Sequence, residues 1–247
     1  MIYLCSPGNP TGALLNKEDI KKILEHETWN GVVVIDEAYI DFSAPGSSCA
    51  EWATQYPNVA VMQTLSKGFG LAGVRLGAIF TSEPIARLLN ALKAPYNISS
   101  LTAQVAERAL GKENLEFARA NIGKILEQRS RLVEEIVKVP GVGRLRGGLD
   151  SNFLLVEMLD RPGGKPCNET ALRVYEGLAE ERGVVVRFRG KEHGCEGCLR
   201  ITVGIEEEVT RFLAEIRKVL DGVFKADGHL PADEEEKREV EANEVMG

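Results

Sequence analysis

The chain has 247 residues, 44% of them hydrophobic, so it is long enough to bury one large core or two smaller ones. The chain has 30 Lys and Arg residues and 37 Asp and Glu residues, which give a formal net charge of -7. This charge does not favour binding of a polyanion, so nucleic acid is not an expected partner. No apolar run approaches the ~20 residues that a membrane span needs, and Met1–Cys5 is too short for a secretory signal, so we expect a soluble, cytoplasmic protein with no membrane partner.

Short β-branched runs alternate with helical patterns in the first part of the chain, as in βα units that build a mainly parallel sheet. The predicted strands are Ile2–Cys5, Val32–Ile35, Val59–Gln63 and Ala78–Thr81. Helices are predicted after the cap residue Asn16, at Ile85–Leu92 and from Ser100. Ligands of open α/β sheets bind at the carboxyl ends of the strands, so we expect the chemistry there.

Apolar residues recur at helical spacing from Asn114 to Val137, which predicts a helix long enough to bridge two lobes. After a turn-rich segment at 140–150, the pattern predicts a compact α+β lobe. Its predicted elements are strand Phe153–Glu157, helix Glu169–Arg182, strands Val184–Phe188 and Leu199–Val203, and helix Glu206–Leu220.

These patterns predict three parts of the chain. Residues 1–115 form a large α/β domain, and residues 116–225 form a smaller C-terminal domain with its linking helix. Residues 226–247 are strongly charged and short of large apolar groups, so we expect a disordered tail.

Five scattered cysteines, an odd number, fit a reducing compartment better than a disulfide framework. The sequence HGCEGC at residues 193–198 has metal-like spacing, but it offers three ligands where a closed zinc site needs four. We therefore interpret it as a glycine-rich loop and expect no metal site.

Polar groups follow three of the predicted strands: SPGNPTG at residues 6–12, DEAY at 36–39, and TLSK at 64–67 with Arg75 further on. Asp36 directly follows a buried strand, where a carboxylate needs a compensating cation such as a protonated pyridine nitrogen. The alternative is that Asp36 only caps backbone N–H groups of the following loop.

Lys67 lies among Ser66, Gly68 and Gly70, and small residues let a cofactor approach the backbone closely. A lysine amine in such a setting can attack an aldehyde carbon, although an isolated lysine is usually only a solvated charge. The small residues around Lys67 favour a lysine that reacts with an aldehyde over one that is only a solvated charge.

The remaining polar residues suit an anionic ligand. Arg75 has the fork that binds phosphate with two hydrogen bonds, and Thr64 and Ser66 add hydroxyl donors. Asn9 and Tyr39 supply donors for a phenolic oxygen. As alternatives, Arg75 forms a surface salt bridge and Asn9 belongs to a simple turn.

In their order along the chain, SPGNPTG (6–12), DEAYIDF (36–42) and TLSKGFGLAGVRLG (64–77) resemble the cofactor motifs of fold-type I aminotransferases, which use pyridoxal 5'-phosphate. Further segments resemble the histidinol-phosphate aminotransferase branch of that family. They are YIDF (39–42), PYNIS (95–99), NFLLV (152–156) and LRITVG (199–204). The resemblance runs from the first residues to about Leu220.

This resemblance implies a fold-type I large domain with a smaller C-terminal α+β domain, and it implies roles for ten residues. Lys67 holds the cofactor and is the catalytic residue, and Arg187, Arg200 and Asn152 bind substrate. The other implied cofactor-binding residues are Asn9, Asp36, Tyr39, Thr64, Ser66 and Arg75.

The implied reaction is a ping-pong amino transfer between histidinol phosphate and 2-oxoglutarate in histidine biosynthesis, by a homodimer. Two alternatives stay open: a related enzyme such as an aromatic aminotransferase or a threonine-phosphate decarboxylase, and a non-catalytic fragment. The resemblance begins in what is the middle of the family's large domain, so it also implies that residues 1–247 alone are a poor catalyst.

Overall fold

The computed structural model describes residues 1–229, which divide into two compact units. The first contains residues 1–130 with 146–155, and the second contains residues 131–145 with the chain from 156 onward. The domain limits predicted at 115 and 225 stay predictions, and most of the predicted tail, residues 230–247, lies outside the described residues. Within residues 1–229, no helix is long and apolar enough to cross a membrane.

The sheet of the first unit has four strands in the order β1-β2-β3-β4. They are β1 (Ile2–Cys5), β2 (Val33–Asp36), β3 (Val59–Thr64) and β4 (Gly77–Thr81). β1, β2 and β3 are parallel, and β4 is antiparallel to β3. The predicted α/β class with a mainly parallel sheet is confirmed, and each predicted strand is present to within one residue at its ends.

Alternation along the strands gives this sheet a buried face. Side chains of β2 and β3 pack there with helix α1 (Lys17–Leu24) and Trp52. The buried members of this cluster are Ile20, Leu24, Val33, Ile35, Cys49, Trp52, Val59 and Val61. The predicted cap of α1 is confirmed, since the Asn16 side chain accepts a hydrogen bond from the backbone N–H of Glu18 at 2.8 Å.

Three longer helices follow β4: α2 (Glu83–Leu92), α3 (Ser100–Ala109) and α4 (Lys112–Ile136). The predicted long helix is therefore present as α4. Its residues up to 130 belong to the first unit, and those from 131 belong to the second.

A second sheet has the order β5-β6-β8-β7. Its strands are β5 (Val142–Arg146), β6 (Phe153–Met158), β7 (Arg187–Phe188) and β8 (Cys198–Thr202). The helices of this part are α5 (Asn168–Glu176), which continues as a π-helix at Gly177–Glu181, and α6 (Glu206–Ala226). Ile216, Leu220 and Phe224 of α6 are fully buried. The predicted α+β elements are thus present, with two differences.

The first difference is β5, in a segment for which only turns are predicted. β5 is hydrogen-bonded to β6 in the sheet, so its partner strand decides its conformation. The Arg144 guanidinium and backbone N–H add hydrogen bonds to the Glu157 carboxylate of β6. Such a contact leaves no trace in local alternation.

The second difference is at 184–186, where the prediction of a strand is wrong. The backbone N–H of Val184 donates to the Leu178 carbonyl at 2.8 Å, at the end of the preceding helix. That N–H is therefore not used to pair with a neighbouring strand. Gly183 has a φ of 61°, which turns the chain sharply before these valines. The strand propensity of three successive β-branched residues is thus outweighed by the structure of the helix terminus beside them.

Candidate functional site

The loop at residues 6–12 leaves the carboxyl end of β1 in a closed turn. The Gly12 N–H donates to the Gly8 carbonyl at 2.7 Å, and Gly12 has a φ of 65°, which favours glycine. The Ser6 N–H donates to the Asp36 carbonyl at 2.9 Å, so the loop starts against the end of β2. Asn9 therefore lies on a constrained loop.

Residues 147–151 hold this loop from outside. The Gly148 N–H donates to the Thr11 carbonyl at 3.0 Å, and the Asp150 N–H donates to the Gly12 carbonyl at 2.9 Å. A Cβ atom on Gly147 would collide with the Thr11 carbonyl oxygen. This pairing explains why residues 146–155 belong to the first unit.

Asp36 is the last residue of β2, whereas the predicted strand ended one residue earlier, at Ile35. Both carboxylate oxygens of Asp36 accept hydrogen bonds. Oδ1 accepts from the Ala38 backbone N–H at 3.1 Å, and Oδ2 accepts from the Tyr3 hydroxyl at 2.7 Å. The loop-cap hydrogen bond considered as the alternative is thus present on one oxygen. The other oxygen is held by a phenol that the sequence motifs do not include.

Glu37, the next residue, is almost fully buried, with 1% of its surface exposed. Its carboxylate accepts from Ser48 Oγ at 2.6 Å, from Gln63 Nε2 at 2.9 Å and from the Cys49 backbone N–H. Burial, and then the charge of Glu37, raise the pKa of Cys49 to about 11. Since a satisfied buried carboxylate is a rigid anchor, Glu37 fixes the segment that carries Asp36 and Tyr39.

Tyr39 and Lys67 lie together. Lys67 Nζ is 5.5 Å from the centre of the Tyr39 ring, within cation–π range. The Tyr39 ring also packs edge-on against Phe153, with centroids 5.0 Å apart and an interplanar angle of 89°. Lys67 is exposed, while Tyr39 is half-buried.

Thr64 and Ser66 form a local hydroxyl pair at the end of β3. Thr64 Oγ1 donates to Ser66 Oγ at 3.0 Å and accepts from the Ser66 backbone N–H at 3.1 Å. Arg75 is exposed, has a φ of 57° and donates from Nη1 to the Ala72 carbonyl at 3.2 Å.

The fold leaves no room for a side chain at Gly68, because an added Cβ would collide with the Asp41 side chain. Burial raises the pKa of that Asp41 carboxyl. The small residue after Lys67 is therefore required by the fold, whether or not a cofactor approaches there.

The predicted substrate residues are divided between the units. Arg187 and Arg200 are direct cross-strand partners on β7 and β8 in the second unit, so their side chains share one face of the sheet. Arg187 is exposed and Arg200 is half-buried. Asn152 is half-buried and belongs to the first unit.

Tyr3 and Phe153 are two residues that motif reasoning does not select for this site. The register offers a signal for Tyr3: Cys5 pairs with Asp36, and Tyr3, two residues earlier, shares their face of the sheet. Phe153 has no such local signal, because it reaches Tyr39 only through the fold.

The four-stranded, mainly parallel sheet, with Asn9, Asp36 and Lys67 at or shortly after the carboxyl ends of its strands, has the architecture of a fold-type I large domain. The chain belongs to the aminotransferase class I and II family, whose family model matches residues 1–216.

Within that family, the chain is similar to the histidinol-phosphate aminotransferase of Schizosaccharomyces pombe. The two are 54% identical over 225 residues, which cover 91% of this chain and 59% of that protein. A crystal structure of the histidinol-phosphate aminotransferase from Clostridium acetobutylicum matches with a TM-score of 0.78 and 25% identity, covering 89% of this chain and 64% of that one. The chain thus spans less than two thirds of the length of these relatives.

The Sinorhizobium meliloti histidinol-phosphate aminotransferase, solved in complex with pyridoxal-5'-phosphate, matches with a TM-score of 0.78 and 23% identity. That match covers 90% of this chain and 57% of the other, and it supports the shared fold alone.

Proposed function

We propose that this chain carries the cofactor-anchoring and C-terminal parts of a histidinol-phosphate aminotransferase. The observation that carries the proposal is the approach of Lys67 Nζ to within 5.5 Å of the Tyr39 ring centre, on the loops that follow β3 and β2. The identity of 54% to the S. pombe enzyme supports the choice of substrate.

The side chains fit pyridoxal 5'-phosphate in kind and number. Asp36 would accept a hydrogen bond from the protonated ring nitrogen, and Asn9 and Tyr39 would donate to the phenolic oxygen. For the phosphate, Thr64, Ser66 and Arg75 would be the donors. When bound, the cofactor supplies an electron sink for bonds at the substrate α-carbon.

Lys67 has two tasks in this proposal. Its Nζ would bond to the aldehyde carbon of the cofactor, with release of water. Once the substrate amine has displaced it, the free Nζ would take the proton from the substrate α-carbon and deliver it to that cofactor carbon. The neighbouring Tyr39 ring, held by Phe153, limits the orientations that the lysine side chain samples.

For the substrates, we propose that Arg187 and Arg200 bind the anionic groups and that Asn152 contributes a hydrogen bond. Glutamate and histidinol phosphate have to use one site in turn, and two guanidinium forks suit a carboxylate and a phosphate. The family resemblance further supports a homodimer in the cytoplasm, and sedimentation analysis of the purified protein tests that part.

The test begins with the purified chain and pyridoxal 5'-phosphate. We expect the visible absorption of a lysine-bound cofactor, a change of that absorption on adding glutamate, and its loss in Lys67→Ala. Lys93→Ala, an exposed lysine of the same unit, is the control and keeps the absorption. Borohydride trapping and peptide mapping then locate the attachment, and a label on a lysine other than Lys67 would contradict the proposal.

Substrate profiling distinguishes the related enzymes. Amino transfer from histidinol phosphate is expected to exceed that from aromatic amino acids, with no release of carbon dioxide from threonine phosphate. The opposite ranking would favour one of the alternatives.

A further inference from the structure

The Tyr3 side chain on β1 makes a hydrogen bond to Asp36 on the neighbouring strand β2. Half of its surface, 50%, is exposed, yet its hydroxyl donates to Asp36 Oδ2 at 2.7 Å across two strands. The register of β1 with β2 creates the contact, because Tyr3 lies diagonally across from Asp36 on one face. The hydroxyl also lies 3.9 Å from the sulfur of Met62, the partner of Asp36 on β3.

The two hydrogen bonds to Asp36 restrain different oxygen atoms of its carboxylate. Ala38 N–H holds Oδ1, and Tyr3 holds Oδ2. The terminal torsion of an aspartate is broad, so a carboxylate with one bonded oxygen rotates more freely than one with both bonded. Each oxygen has a second lone pair, so Asp36 keeps the capacity to accept a further N–H.

We propose that Tyr3 is a positioning residue, which holds the Asp36 carboxylate in one orientation so that it meets the ring nitrogen of the cofactor. The inference rests on the proposed function, because it concerns the same cofactor. Tyr3 itself acts only through Asp36, and a carboxylate oriented before binding loses less freedom when the cofactor arrives.

The charge state of Tyr3 suits this task. The hydrogen bond to Asp36, and then burial, raise the pKa of Tyr3 to about 12. The phenol therefore stays protonated, and stays a donor, well above neutral pH. The rival view is that this hydrogen bond only ties β1 to β2, which the backbone ladder already joins.

The experiment compares Tyr3→Phe with wild type on two cofactors: pyridoxal 5'-phosphate and an analogue with a C–H group in place of the ring nitrogen. We expect the dissociation constant for pyridoxal 5'-phosphate to rise about tenfold, as for a lost hydrogen bond to a charged group. The analogue has no N–H for Asp36, so we expect its dissociation constant to stay within about twofold. The NMR resonance of the isotopically labelled ring nitrogen is expected to move in the variant.

Tyr56→Phe is the matched control. The Tyr56 hydroxyl donates to the Glu25 carboxylate at 2.6 Å, which is the same chemistry in the same unit but away from Asp36. We expect this variant to bind both cofactors as wild type does.

A second measurement needs neither cofactor nor a change at position 3. In Asp36→Asn, an NMR titration of ring-labelled tyrosine, which resolves Tyr3 from the other four tyrosines, should bring the midpoint of Tyr3 from about 12 towards the ordinary 10.0. An unchanged midpoint would overturn the inference, even if Tyr3→Phe failed to fold.

The outcomes separate the two proposals. If wild type forms no lysine-bound cofactor, the proposed function fails and this inference fails with it. If wild type binds the cofactor but Tyr3→Phe weakens both cofactors equally, or neither, the proposed function stands and the positioning role is wrong.

Discussion

At the scale of single residues, Arg75 and Arg200 carry the same charge but are proposed to bind different molecules. Arg75 follows β3 in the first unit, and Arg200 lies on β8 in the second. Arg75→Ala is expected to weaken retention of pyridoxal 5'-phosphate by roughly one to two decades, the worth of a charge-assisted hydrogen bond. Equilibrium dialysis of the cofactor measures this change. Arg75→Lys keeps the charge without the guanidinium fork, so its affinity for the cofactor should lie between those of wild type and Arg75→Ala.

Arg200→Ala is expected to behave in the opposite way. The KM for the amino donor should rise by roughly one to two decades, while the affinity for the cofactor changes little. Steady-state kinetics and the same dialysis measure both quantities. Equal loss of cofactor affinity in the two variants would contradict the division of roles between Arg75 and Arg200.

Cys49 supports a prediction about reactivity. It is buried, with 3% of its surface exposed, and burial and Glu37 raise its pKa to about 11. A raised pKa disfavours the thiolate, so at about pH 8 the folded chain should leave Cys49 unalkylated by iodoacetamide. Cys5 is the internal control: burial and then the charge of Asp36 raise its pKa as well, but its side chain is exposed, so it should react before Cys49. Mass spectrometry of timed samples checks this, and equal rates at the two cysteines would show that Glu37 and its neighbours do not protect Cys49.

The same raised pKa sets the direction of a pH effect. Because the folded chain favours the thiol, Cys49 contributes a stability that is fully present below its ordinary pKa of 9.0. That contribution is lost as the pH rises through about 11.

At the scale of elements, the loop that carries Asn9 depends on the segment that holds it. Gly147 has a φ of 77°, and a Cβ there would collide with the Thr11 carbonyl oxygen. Gly147→Ala therefore adds a backbone collision to left-handed strain, and we expect it to lower the free energy of unfolding by about 3 kcal/mol.

Gly46→Ala is the matched control for this prediction. Gly46 has a φ of 82° and nothing within 4 Å of an added Cβ, so only the strain applies. We expect a cost of about 1 kcal/mol. Urea titrations followed by tryptophan fluorescence compare the two variants, and similar costs would mean that the contact with Thr11 adjusts easily.

At the scale of the whole molecule, the described chain exposes large apolar side chains in its first unit. Two of them on α2 are Leu88 with 68% and Leu92 with 85% of their surface exposed. Patches of this kind promote association, so we expect the purified chain to self-associate at micromolar concentration. The double variant Leu88→Glu with Leu92→Glu should reduce light scattering without changing the circular dichroism.

A control for that variant is Val185→Glu, an exposed apolar residue of the second unit, with 64% exposure. If this change lowered scattering as much as the α2 double variant, association would follow net charge and not the apolar surface of α2.

The sequence by itself determined the elements that local chemistry controls. β-branched runs predicted the four strands of the first sheet, and the Asn16 cap predicted the start of α1. The predicted strand before Asp36 also indicated that its carboxylate lies at the carboxyl end of the sheet. These signals are local, because alternation, caps and turns act within a few residues.

Only the tertiary structure decided the rest. β5 exists because its backbone finds a partner in β6. The predicted strand does not begin at Val184, because the Leu178 carbonyl at the end of a helix takes the Val184 N–H. Tyr3 meets Asp36 through the register of two strands, and Phe153 meets Tyr39 through the return of a distant segment. Register and packing depend on residues far apart in the chain, so no window of the sequence contains the information that sets them.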